Sequence, residues 1–153
     1  MDSKITRPRD ILGEPLPLVR REDWADRLSA LIATEQATPF QWGHHDCATL
    51  AFAAVREMTG ADLGFMLPPW FSAFSAARTM KHAGAPSATE YFSRFLADIP
   101  VAMARRGDLV LIGDAIDPLN CPAILTGAEA QSRNETGWVV FPRTLATRAF
   151  KVG

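Results

Sequence analysis

The segment PFQWGHHDCATLAFAAV, residues 39–55, gathers residue types from which a covalent catalyst can be built. Cys47 falls where a buried helix should begin, and there unpaired backbone N–H groups and the helix dipole favour an anion. Such a setting draws a thiol toward the thiolate, which is the nucleophilic form. The same first turn offers N–H donors able to hold an oxyanion. The chemistry implied is acyl transfer through a thioester. A thiol nucleophile needs a proton acceptor, and His45 and His44 lie two and three residues before it. Either imidazole can approach the sulfur as a base. The rival reading for both is a loop histidine that caps the helix or meets a partner, and for Cys47 it is a core cysteine that merely starts a helix. His82, just before Gly84, suits the negative end of a short helix and needs no further role.

The other cysteine is Cys121. Two cysteines are too few for a disulfide scaffold, and each reads as a free buried thiol, with a single bridge left open. His44, His45, Asp46 and Cys47 include every common zinc-ligand type. Consecutive residues cannot all face one ion, however, and the spaced pairs of zinc sites are lacking. No metal and no other cofactor is expected.

The elements that must position these groups follow from periodicity and punctuation. Trp24, Leu28, Leu31 and Ile32 share one stripe, which predicts a helix over Glu22–Thr34. Residues 47–59 are apolar on nearly every side and are followed by Gly60, which predicts a buried helix with a glycine cap. Shorter helices are expected over Ser72–His82, after the break Leu67-Pro68-Pro69-Trp70, and over Ala88–Leu96. Beyond Pro100 the pattern changes to short apolar runs between turn residues, which predicts strands at Asp108–Ile112, Ala123–Thr126, Trp138–Pro142 and Ala149–Val152. Helices first and an antiparallel meander second is an α+β layout. Three prolines, Pro8, Pro15 and Pro17, mark residues 1–19 as an extended arm suited to docking on a neighbour or left disordered, ahead of a single domain over 20–153. Trp70 and Phe71 read as core, or as an exposed aromatic patch for a partner.

The first block resembles the nucleophile motif of the NlpC-type cell-wall cysteine peptidases, which have a papain-like fold. Pro39, Phe40, Trp42, Gly43, Asp46 and Cys47 match its Pro-aromatic-x-Trp-Gly stretch and the Asp-Cys that opens the central helix. Arg106-Gly107-Asp108-Leu109-Val110-Leu111 resembles the family's Pro-Gly-Asp-Leu strand, in the same order along the chain. The resemblance runs from about Trp24 to Val152. It is nearest to a compact subgroup found among phage tail and prophage genes, whose Arg-Ala-aromatic ending is matched by Arg148-Ala149-Phe150. It implies N-terminal helices packed on a small antiparallel sheet, Cys47 as nucleophile, and cell-wall peptide as substrate.

The departures are equally specific. Active members begin the next strand with a histidine, and here that place is held by Cys121. A thiol cannot replace imidazole as a proton acceptor poised near neutral pH. The family's third, orienting polar residue falls near Arg133 or Asn134. Its oxyanion tyrosine is matched by Phe40, which donates no hydrogen bond, and the serine after the nucleophile is Ala48. Two functions therefore stand side by side: a cysteine peptidase or amidase using Cys47 with His45 or His44, or a catalytically inactive structural or adaptor component of a phage tail tip.

Bulk properties exclude other classes. The 153 residues are 48% hydrophobic and 22% charged, as in an ordinary globular protein. A net charge of −1 provides no basic field for nucleic acid. No apolar run approaches the roughly 20 residues of a membrane span. The N-terminus lacks the layout of a signal peptide, so synthesis and folding in the cytoplasm are expected, followed by incorporation with other phage tail proteins into a virion.

Overall fold

The computed structural model describes residues 18–64, 67–85, 87–113 and 121–153. The arm expected over residues 1–19 lies outside them except for its last two residues. Four helices, α1 (Trp24–Gln36), α2 (Cys47–Thr59), α3 (Ala73–His82) and α4 (Ala88–Ser93), precede or flank one antiparallel sheet of six strands. The strands are β1 (Ala97–Ile99), β2 (Leu109–Ile112), β3 (Cys121–Leu125), β4 (Glu129–Asn134), β5 (Gly137–Pro142) and β6 (Ala146–Lys151), in the order β1-β6-β2-β3-β4-β5. The architecture is α+β, as the sequence predicts.

Helix α2 has the bounds expected from its sequence because both ends are chemically marked. The Asp46 carboxylate accepts from Thr49 N while Thr49 Oγ1 accepts from Asp46 N, a reciprocal cap on two orphan donors. At the other end Gly60 takes φ 84°, where a side chain would be strained, and its N–H closes on Arg56 O. Leu50, Ala51, Ala54, Val55 and Met58 are buried, so most of the helix surface lies inside the protein. Each fully buried residue of Leu, Val or Met size contributes about 1.5–3 kcal/mol of transfer free energy.

The sheet divides the interior into two layers. Leu109, Leu111, Ile124 and Phe150 join the helices in one core, while Val110, Ile112, Leu125 and Ala149 form a second core on the opposite face. Alternation along β2 sends neighbouring residues to different layers, and all four of its residues are buried. A central strand covered on both sides accounts for the unbroken apolar run of its sequence.

Two strands depart from the sequence expectation. Helix α4 stops at Ser93, and residues 97–99, which follow closely, pair with β6 as an edge strand. Strand β4 has the sequence Glu-Ala-Gln-Ser-Arg-Asn, with no β-branched or aromatic residue to announce it. It is a strand because β3 and β5 pair with it on either side.

The described chain is closed by Arg20 and Asp108. Arg20 Nη2 donates to Asp108 Oδ1 at 2.9 Å, Nη1 to Arg106 O at 2.8 Å and Nε to Val152 O at 2.7 Å. Asp108 also accepts from Val152 N and Arg105 N. The Gly107-Asp108-Leu109 block therefore works as a structural joint, in which a Cβ on Gly107 would lie 2.8 Å from Arg20 Nη1.

Candidate functional site

The loop before α2 is folded by its own backbone. Gln41 O accepts from both His44 N and His45 N, and Gln41 N donates to His45 O. Gly43 stands at φ 79°, and a Cβ there would sit 2.0 Å from Trp70 O, so only glycine fits. Asp46 then binds the loop to the helix and to Trp70. Its Oδ2 accepts from Gly43 N at 2.8 Å and from Trp70 Nε1 at 2.7 Å, and its Oδ1 accepts from Thr49 N at 2.8 Å. Gly43 and Asp46 of the Trp-Gly-x-x-Asp-Cys block thus each have a structural rationale.

Cys47 opens onto a cavity of about 360 Å³. Phe40, Trp42, Phe52, Trp70, Tyr91 and Phe92 give it aromatic walls. Mostly apolar concavities of this size are the usual form of a small-molecule or side-chain site. Cys121, at the start of β3, lines the same cavity, and the two thiols are hydrogen-bonded to one another. Neither sulfur is in a disulfide. Cys121 Sγ further donates to Ser132 Oγ at 3.4 Å, and Ser132 Oγ donates to Pro122 O at 2.8 Å.

This surrounding holds the Cys47 thiol well above its ordinary value. The hydrogen bond with Cys121 is the largest cause, followed by burial and by the negative charge that Cys121 and Asp46 place nearby. An N–H from Ala48 directed at the sulfur works in the opposite direction and is outweighed. The thiolate that a helix start should favour is therefore suppressed by what packs against it.

The histidines lie elsewhere. His45 Nδ1 is 3.3 Å from Glu35 Oε1, and the same oxygen accepts from Arg133 Nη2 at 2.7 Å. Neither His44 nor His45 is among the residues lining the cavity, and His82 is exposed at the end of α3. Of the three candidate catalytic residues, the structure places Cys47 at the cavity and brings neither histidine there with it. The chain's single tyrosine, Tyr91, lines the cavity but donates its hydroxyl to Leu63 O, and burial pushes its pKa up.

Arg133 is the residue whose role the sequence did not reveal. It is 2% exposed, spans from β4 to the end of α1, and adds bonds to Glu35 O, Thr38 O and His45 O to its ion pair with Glu35. Its Nε is buried with no partner. Only the register of a strand that reads as a polar loop places this cation against the loop before α2.

Residues 19–152 match a protein family described as a domain of unknown function (DUF6950). No curated protein matches the chain. Among the described residues, no helix is long and apolar enough to cross a membrane.

Proposed function

The chain belongs to the DUF6950 family, and we propose that within it this protein is a catalytically silent relative of the NlpC-type, papain-like peptidases, retained as a structural or adaptor component of a phage tail tip. The observation that carries this reading is the group facing Cys47, which is a second thiol and not an imidazole. Without a proton acceptor that titrates near neutral pH, the sulfur stays protonated and an amide has no nucleophile to meet.

The papain-like reading is supported by a cysteine in the first turn of a buried helix that packs on β3 and β4 of an antiparallel sheet. The tail-tip setting rests on the resemblance carried by Trp42-Gly43-x-x-Asp46-Cys47 and Arg148-Ala149-Phe150. Phe71 and Phe74, 78% and 75% exposed near Trp70, offer a protein partner an apolar foothold. Cytoplasmic synthesis followed by incorporation in the particle belongs to the same reading.

One observation favours the rival, an active cysteine peptidase or amidase cutting cell-wall peptides. The Ala48 N–H is directed at the Cys47 sulfur and favours its thiolate, the nucleophilic form. The two readings separate in a simple assay. Soluble cell-wall peptide fragments incubated with the protein are expected to release no new amino termini above the level of a Cys47→Ser variant. Release that requires Cys47 would overturn the silent reading, and its loss in His45→Ala would identify the base.

A further inference from the structure

We propose that Cys47 and Cys121 form a reversible dithiol–disulfide pair that closes inside the aromatic cavity by exchange with a small disulfide. This modification does not depend on the descent of the fold or on whether the protein hydrolyses anything.

Three observations carry it. The chain has two cysteines, and 74 residues apart in sequence they reach the same cavity wall from the start of α2 and the start of β3. Their side chains interact directly, each acting on the other's proton, and such proximity is the first requirement of a disulfide. The space in front of them is about 360 Å³, mostly apolar and aromatic with Asp46, Arg133 and Glu135 also in its lining, and it has room for a small reagent.

The order of events follows from charge. Asp46 adjoins Cys47 and disfavours a thiolate on it, whereas a thiolate on Cys121 would accept the Cys47 S–H. Cys121 therefore attacks one sulfur of the small disulfide, whose S–S bond breaks as the first small thiolate leaves and takes up a proton. The Cys47 sulfur then attacks Cys121 in the mixed disulfide, the Cys47–Cys121 bond forms, and the second small thiolate departs with the Cys47 proton. The protein has lost two electrons and two protons, and one small disulfide has become two thiols.

The experiment uses the intact native protein and 2-hydroxyethyl disulfide, with alkylation under denaturing conditions and mass spectrometry as the readout. The expected product has lost two hydrogens, yields a Cys47–Cys121 cross-linked peptide, and returns to two alkylatable thiols with dithiothreitol. Cys47→Ser should stop one step earlier, with a single mercaptoethanol adduct on Cys121. A native protein that keeps stable adducts on one or both cysteines would overturn the proposal. So would one that keeps two free thiols under conditions that modify the urea-unfolded chain.

Discussion

At the start of α2 two influences act on the Cys47 sulfur in opposite directions. The helix terminus and the Ala48 N–H favour the thiolate, while Cys121, burial and Asp46 favour the thiol, and the second set prevails. Alkylation reads the balance directly, because only the thiolate reacts. Iodoacetamide labelling of Cys47 should therefore be slow at pH 7–8 and reach its half-maximal rate well above about pH 8.5, where a free cysteine is half ionised. Cys121→Ala removes the largest cause and should raise the rate at pH 8 by about tenfold for each unit the pKa falls. The His44→Ala, His45→Ala double variant should leave the profile unchanged, since the His45 ring is engaged with Glu35. A wild-type profile centred at or below the ordinary thiol value, or one moved by the histidine changes, would restore the case for a catalytic cysteine.

Strand β4 joins the sheet to the helices through one buried cation. Arg133 is paired with Glu35 on α1, and both side chains are withdrawn from solvent, at 2% and 11% exposure. Removing one partner of such a pair leaves the other charge buried and uncompensated, whereas removing both often costs little. Arg133→Met should lower the free energy of unfolding in urea by about 3–5 kcal/mol, and Glu35→Gln added to it should recover most of that loss. A single-variant loss below about 1 kcal/mol would mean that the pair does not hold β4 to α1. The contrast with α2 shows what was legible in the sequence. Both ends of α2 carry short-range chemical marks, Asp46 with Thr49 and Gly60, and its bounds could be read from them. Strand β4 carries none, because its conformation is imposed by ladders to β3 and β5 that pair residues distant in sequence. The meeting of Cys47 with Cys121 was hidden for the same reason, since no local pattern encodes a contact across 74 positions. The displacement of His45 toward Glu35 likewise depends on where Arg133 and α1 converge.

Across the whole molecule, the same separation between local marks and long-range consequence governs how the chain is closed. Gly107-Asp108-Leu109 could be read as the opening of a strand, but its work is done at a distance, where Asp108 meets Arg20 and Val152 N. Arg20 in turn binds Arg106 O and Val152 O and lies with its guanidinium 4.2 Å from the centre of the Trp24 ring, so one side chain joins α1, the turn before β2 and the residue after β6. The pair is buried, at 7% and 2% side-chain exposure, and screening by water is weak there. Arg106 provides an internal control. It also lies over Trp24, at 5.8 Å, yet its other contact is an exposed hydrogen bond to Ser29 Oγ. Arg20→Met should cost about 3–5 kcal/mol, because Asp108 would be left as a buried charge held only by two backbone N–H groups. Arg106→Met should cost no more than about 1 kcal/mol. Urea unfolding of the two variants under one set of conditions tests the comparison. Equal losses would show that Trp24 stacking, common to both arginines, closes the molecule, and that the ionic joint at Asp108 adds little.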